Sequence, residues 1–322
     1  MEITVAIPTY KNNGSTIGKL LEALQNQSYK NFRLLVVYKP SDGDVTEDVI
    51  SKYKNLDIEV IYQKEGYIEE AMNLIFSNAN ADILITTDDD AIPSKDWVKD
   101  HIEMHSNPEF GVVGNNSTVR LINFSLLERS YAKLFEKPID KAMSDYAIYI
   151  AETGLWTYNK SFRKNGRIIK TLGLSGYNMS LKKEVYKNFK LEQMTLRGAY
   201  YENYVGVNAI RKGFHSVFVQ NCCKTEHLNR ESISRSKNPS VIKELYAESV
   251  LSAYYFSRIY KINLEKLKTD ILIKTWKWYL KDRSLLSLAA IEGLRLGLKI
   301  TLDAIKKGYS GEQIRKRLLE IK

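Results

Sequence analysis

Two hydrophobic patterns alternate along the first ninety residues. Short apolar runs at Glu2–Ile7, Phe32–Tyr38, Ile58–Tyr62 and Ile83–Thr87 read as buried strands. Between them, Ile17, Leu20, Leu21 and Leu24 recur at helical spacing behind a Ser15 or Thr16 cap. Val45–Tyr53 and Glu69–Asn78 also read as helices, the second with Ala71, Leu74 and Ile75 on one face. Strands alternating with short helices predict right-handed βαβ units and a parallel sheet. Ligands gather at the carboxyl ends of the strands in such sheets. Here those ends carry Pro8-Thr9-Tyr10, the segment around Lys39, and the run Asp88-Asp89-Asp90-Ala91-Ile92-Pro93.

Further along, the pattern predicts a strand at Phe110–Asn115, helical turns around Leu126–Phe135, a helix over Leu181–Phe189 and a strand at His215–Val219. From Pro239 onward the β-rich runs stop. Val241–Tyr260, Leu264–Leu280, Leu285–Lys307 and Gly311–Ile321 read as four helices. Leu285, Leu288, Ile291, Leu294, Leu298, Leu302 and Ile305 mark an apolar stripe on the third. His101 and His105, one helical turn apart, read as helix surface.

Charge changes the picture in one respect. The net charge is +10, with Lys and Arg dense in the last third, which suits an anionic partner. Trp276, Trp278 and Tyr279 add interfacial aromatics, so peripheral contact of the C-terminal helices with an anionic membrane stands beside the plainer reading of a packed helical appendage. No apolar run reaches the roughly 18–20 residues that span a bilayer. Neighbouring Cys222 and Cys223 form neither a disulfide framework nor a metal-spaced pair, and Met1-Glu2 leads directly into a strand. A cytoplasmic protein is expected, with a peripheral place on the inner face of the cell membrane as the alternative.

The candidate chemistry starts at the aspartates. Side chains alternate along an extended chain, so Asp88 and Asp90 can share a face while Asp89 points away. Adjacent carboxylates repel and resist burial, and a strand end that offers two of them suits Mg²⁺ or Mn²⁺ shared with substrate phosphates. Neither a Gly-rich dinucleotide fingerprint nor a P-loop is present, so phosphate would be held through metal.

This order of strand, Pro-Thr-Tyr, helix, strand, Ser-Asp-Gly turn and Asp-Asp-Asp-Ala-Ile-Pro resembles the family 2 glycosyltransferases of the GT-A fold. The resemblance implies an α/β, Rossmann-like mixed sheet flanked by helices, here with a C-terminal helical extension. It implies a catalytic domain over 1–230, with a nucleotide-binding half at 1–115, an acceptor-binding half at 116–230, and a helical region at 231–322. By the match, Pro8, Thr9, Tyr10, Lys39, Asn73, Asp88 and Asp89 would contact a UDP- or GDP-type sugar donor, and Asp88 and Asp90 would ligate the metal. Leu172–Lys183 resembles the family's Gly-x-Asn-Met segment, which assigns Gly176, Tyr177 and Asn178 to the acceptor. Trp156 could stack a sugar, or could be a core Trp. Arg197–Phe214 resembles the family's acidic helix start, which makes Glu202 the catalytic base; alone, a Glu there could equally balance the helix dipole. His227 stands where the family often has a metal or diphosphate ligand.

The expected reaction is an inverting, metal-dependent hexosyl transfer to a saccharide or lipid-linked hydroxyl. Two other classes stand beside it. A sugar-phosphate nucleotidyltransferase would carry a Gly-rich basic signature after the first strand, for which Lys11-Asn12-Asn13-Gly14 is a poor substitute. A non-enzymatic basic protein binding nucleic acid or membrane leaves the aspartates unexplained, and no nucleic-acid partner is expected.

Overall fold

The computed structural model describes residues 1–115, 124–163, 166–198, 200–228 and 236–320. The chain opens with β1 (Ile3–Tyr10), α1 (Ile17–Gln25), β2 (Arg33–Lys39), α2 (Thr46–Ile50), β3 (Ile58–Tyr62), α3 (Ile68–Asn78) and β4 (Ile83–Thr86). Next come β5 (Ala91–Pro93), α4 (Trp97–Met104), β6 (Phe110–Gly114), α5 (Leu126–Phe135), β7 (Ile148–Ile150), β8 (Trp156–Tyr158) and β9 (Ile168–Lys170). A 3₁₀ turn at Gly176–Asn178 leads into β10 (Met179–Lys182) and α6 (Lys183–Tyr186). The remainder is α7 (Tyr201–Arg211), β11 (His215–Val219), β12 (Thr225–His227), α8 (Pro239–Ser257), α9 (Leu264–Lys281), α10 (Leu285–Lys307) and α11 (Gly311–Leu319). Ile321, the predicted end of the last helix, and positions 164–165 of the basic stretch Lys160–Lys170 lie outside the described residues.

Two compact units result. The first comprises Met1–Arg120, Lys164–Leu191 and Glu202–Arg230. Its eight-stranded sheet runs β3-β2-β1-β4-β10-β6-β11-β9. The four N-terminal strands are parallel, as their alternation with helices requires. β10 then runs antiparallel between β4 and β6, and β9 lies antiparallel to β11, which makes the sheet mixed. Val5, Ile7, Leu34, Val36, Ile83 and Ile85 pack in one core with the apolar face of α1. Each such side chain, fully buried, stabilises the unit by about 1.5–3 kcal/mol. The aspartates follow directly from this core: β4 is buried throughout and its end is where polar groups first meet solvent.

The α1 cap differs from expectation. Neither Ser15 nor Thr16 caps the helix through its side chain. Asn12 does it from further back, its buried Oδ1 accepting the backbone N–H groups of Thr16 and Ile17 at 3.2 and 3.3 Å. Its Nδ2 donates to Thr16 Oγ1 at 2.7 Å and more weakly to the Asp89 carbonyl at 3.5 Å. The turn it closes holds Lys11 and Asn13 at positive φ, a conformation that costs a lysine more than an asparagine.

The second unit comprises Leu121–Arg163, Glu192–Tyr201 and Glu231–Lys322. All four predicted C-terminal helices form, as α8 to α11. The buried face of α10 takes only part of the predicted stripe: Ile291 and Leu294 are buried and Leu285 is exposed, while Ala289, Ala290, Gly293, Gly297 and Ala304 make up much of the rest of that face. A Cβ at Gly293 would meet the Lys243 carbonyl at 2.3 Å and one at Gly297 the Ala247 carbonyl at 2.4 Å, so small residues let α10 lie directly on α8. Among the described residues no helix is long and apolar enough to cross a membrane.

Asn12→Ala removes the α1 cap and is expected to lower stability by about 1–2 kcal/mol. A thermal melt with unchanged Tm would show that the helix start is held some other way.

Candidate active site

β5 follows the aspartates directly and anchors them in the site by pairing with β12. The register sets His227 opposite Ala91, one residue past Asp90, and the Leu228 N–H donates to the Asp90 carbonyl at 2.8 Å. His227 Nε2 lies 3.3 Å from Asp90 Oδ1 and 3.7 Å from Asp88 Oδ2. One ligand atom from each of the three residues falls within 4.8 Å of the others. The Asp88 side chain is 44% exposed and that of Asp90 11%, so one carboxylate faces solvent and the other is nearly enclosed. The hydrogen bond to Asp88 raises the His227 pKa above its usual value, and the Asp90 charge adds to it, while burial opposes both. The site therefore favours positive charge. His227 Nδ1 faces the Leu228 carbonyl at 3.1 Å, which directs Nε2 to the aspartates as a metal ligand would require. The donor set, two hard carboxylates and one imidazole, fits a divalent cation.

Asp89 points elsewhere. Thr9 Oγ1 donates to its Oδ2 at 2.6 Å, and both residues are buried. Their side chains lock the end of β1 to the aspartate turn.

The predicted base sits in the first turn of α7. Glu202 is half-buried, and its Oε1 accepts the Gly176 N–H at 3.0 Å. Burial pushes its carboxyl up to about 7; the Gly176 hydrogen bond opposes the rise, and the negative charge of Asp88 adds to it. The next residue in the 3₁₀ turn, Tyr177, meets the His227 ring edge-on with centroids 4.6 Å apart. One turn of backbone thus joins Glu202 on one side to the Asp-Asp-His cluster on the other.

That turn is held from below by a buried polar network that the sequence reading missed. Asn178 is 2% exposed. Its Oδ1 accepts from Trp97 Nε1 at 2.8 Å and contacts His101 Nε2 at 3.1 Å, while its Nδ2 donates to the Cys223 carbonyl at 2.8 Å. An acceptor contact was expected of Asn178; its side chain faces the interior and positions the turn instead. His101 and His105 are likewise buried rather than on the helix surface, bridged by Ser180 Oγ at 2.8 Å from each ring. Burial depresses both rings, His101 to about 3 and His105 to about 4, so both are neutral. The signal was present: Trp97, His101 and His105 recur every four residues, on the face that a large aromatic drives inward.

The remaining predicted residues divide. Tyr10 is exposed at the end of β1 beside its register partner Lys39, whose Nζ lies 4.9 Å from the Tyr10 ring centre and donates to the Gly66 carbonyl at 2.6 Å. Pro8 is half-buried on the same strand. The Asn73 side chain clasps the Leu191 backbone, donating to its carbonyl at 3.0 Å and accepting its N–H at 2.8 Å, so its amide is spent within the fold. Trp156 belongs to the second unit, on β8, where it packs against Tyr158 and Tyr200.

The profile of Glycosyl transferase family 2 matches residues 4–189, more than half of the chain and all of the strands that build this site up to β10. The chain belongs to glycosyltransferase family 2. Its mixed sheet and flanking helices are those of the GT-A fold, with C-terminal helices added, and crystal structures of S. aureus TarS 1-349 share the architecture. One superposes with TM-score 0.50 at 15% identity, covering 96% of this chain and 92% of that one. The same protein in complex with UDP-GlcNAc gives TM-score 0.50 at 16% identity over the same shares of the two chains. A curated relative in Bacillus subtilis (strain 168), described as an uncharacterized glycosyltransferase, YfnE, is 29% identical over 127 residues. That match spans 38% of this chain and about a third (32%) of the relative.

Because His101 and His105 are neutral in the fold and titrate near 6.5 once unfolded, the unfolded state binds more protons below that pH. Stability is expected to fall as pH drops from about 6.5 toward 4, and Tm measured across that range should lose part of its slope in His105→Gln. A wild-type Tm that stays flat from pH 7 to 4 would contradict the buried neutral pair.

Proposed function

We propose that the chain is an inverting, metal-dependent glycosyltransferase that moves a hexosyl group from a nucleotide-diphosphate sugar to an acceptor hydroxyl. The observation that carries this reading is the Gly176–Tyr177 bridge, which sets a carboxyl with a pKa of about 7 across from an Asp-Asp-His cluster. Asp88, Asp90 and His227 hold the divalent ion, Mn²⁺ or Mg²⁺, which when bound supplies Lewis-acid neutralisation of the departing diphosphate. Tyr10 offers a ring for the nucleobase, and Lys39 keeps a positive charge beside it. A UDP donor is supported by the S. aureus relative solved with UDP-GlcNAc, and GDP is the competing base.

Glu202 acts as general base. It takes the proton from the acceptor hydroxyl as the oxygen attacks the anomeric carbon, while the bond from that carbon to the diphosphate oxygen breaks on the opposite face. A pKa near 7 suits this role, because the carboxylate is both populated and basic enough at neutral pH. Single displacement with one base inverts the anomeric centre. The Gly176 N–H fixes Glu202 Oε1. Thr9 and Asn178 act as positioning residues, the first through Asp89 and the second through the 3₁₀ turn. The acceptor is a saccharide or a lipid-linked hydroxyl.

Three outcomes test the reading. Asp90→Ala should abolish the rise in Tm that UDP and Mn²⁺ together give the wild type, and an unchanged rise would remove the cluster from donor binding. Glu202→Gln should keep that rise yet lose about 10²–10⁴ in turnover, measured as nucleoside diphosphate released. In the wild type, kcat/KM should fall as pH drops below about 7, where Glu202 takes up a proton. An active Glu202→Gln enzyme with the wild-type pH profile would assign the proton to another group.

A further inference from the structure

The second unit encloses a cavity of about 560 Å³ that the transfer chemistry does not use. The volume lies within the range of small-molecule sites. Its floor is the unit's own core, with Leu155, Val250 and Leu294 at the bottom. Its walls are aromatic: Trp156 with Tyr158 and Tyr200, and Tyr246 edge-on to Trp278 at 5.0 Å between ring centres. Polar groups are few and mostly paired. Lys160 meets Glu136 at 3.5 Å and Lys274 meets Asp270 at 2.8 Å.

The mouth differs from the interior in two ways. Leu127 of α5 is 84% exposed and Ile273 of α9 is also exposed, and both line the cavity. On the same two helices Leu126, Leu272, Trp276 and Leu280 are exposed as well, with Trp276 at 56%. Large apolar side chains gathered on an outer surface mark a face that meets something other than water. The second difference is charge. Lys277 stands exposed at the mouth, where Glu128 of α5 also lines the cavity. α9 carries five lysines against two acids, three of the lysines paired with Glu152, Glu265 and Asp270. An aromatic and leucine-rich face interleaved with lysines is the composition of a helix that lies on an anionic lipid surface, with lysine stems along the apolar layer and ammonium groups at the phosphates.

We infer that this cavity binds the hydrocarbon chain of a phosphate-bearing lipid, whose head group rests on Lys277 at the mouth and which enters from a membrane surface touched by α5 and α9. The chemistry of the two zones decides the class. A saccharide would leave its hydroxyls facing Leu155, Val250 and Leu294 without partners, whereas an alkyl chain matches those walls. A neutral lipid would ignore Lys277. A phosphate monoester head answers it by Coulomb attraction at the low-dielectric edge of the face.

The test uses the full chain and dodecyl phosphate below its critical micelle concentration, read by the fluorescence of Trp156 and Trp278 and by thermal melts. A saturable fluorescence change and a rise in Tm are expected with dodecyl phosphate and neither with inorganic phosphate. Dodecyl maltoside, with the same chain and a neutral head, should bind about tenfold more weakly, a difference of about 1.4 kcal/mol. Lys277→Glu and Trp156→Leu should each weaken binding by a similar factor. The melt reports whether Trp156→Leu folds, and Lys277→Glu on the exposed rim carries the test if it does not. Binding to phosphatidylcholine vesicles should rise when phosphatidylglycerol is added. No saturable binding of monomeric dodecyl phosphate, equal affinity for dodecyl maltoside, or two variants that bind like the wild type would overturn the inference. So would vesicle binding without monomer binding, which would reduce the face to a surface contact. The rise in Tm with UDP and Mn²⁺, measured on the same samples, reports the first unit separately, so failure of one reading is not mistaken for failure of the other.

Discussion

Two carboxylates at the end of one buried strand repel each other, and the first unit is built to hold them together. The repulsion is met by His227, drawn to within 3.7 Å of both by the pairing of β12 with β5. Strand pairing supplies the geometry, and the raised His227 pKa records the electrostatic consequence. A fold that concentrates negative charge at this point favours a cation there, which in the proposed function is a divalent ion. The rest of the site is arranged around that requirement. Asp89 is turned away and tied to Thr9, and Glu202 faces the same negative field, which helps to keep its proton on up to neutral pH.

Positioning comes from groups that never meet a substrate. Trp97 and His101 on α4 and His105 at its C-terminal cap hold Asn178 and Ser180, which fix the start of β10 and the 3₁₀ turn before it. Gly176 and Tyr177 in that turn then reach Glu202 and His227. Thr86 Oγ1 donates to the Gly176 carbonyl at 2.6 Å and ties the turn back to β4, so the strand that delivers the aspartates also holds the platform for the base. Neutral imidazoles suit this task because they fill buried space and bond at both ends without carrying charge into the core.

Much of the first unit was legible in the sequence because parallel strands buried on both faces read as continuous apolar runs and their helices as a clean period. The aspartate triplet stood out for the same reason: charge directly after five apolar or β-branched residues has few explanations. Antiparallel β10 and the His227 pairing were harder, since three- and four-residue strands carry too little pattern and their partners lie far off in sequence. Asn12 was hidden because a cap that reaches forward over four residues leaves Ser15 and Thr16 looking adequate. His101 and His105 were misread because polarity was given more weight than their spacing from Trp97. On α10 the leucines drew attention although Gly293 and Gly297 set the packing, because close backbone approach selects for small side chains that hydrophobicity does not register.

The most direct measurement of the central claim is pulsed electron paramagnetic resonance of Mn²⁺ bound to protein carrying ¹⁵N-labelled histidine, with UDP present. The account predicts coupling to a single imidazole nitrogen, which disappears in His227→Gln and survives in His101→Gln. Bound Mn²⁺ with no nitrogen coupling, or coupling unaffected by His227→Gln, would contradict it.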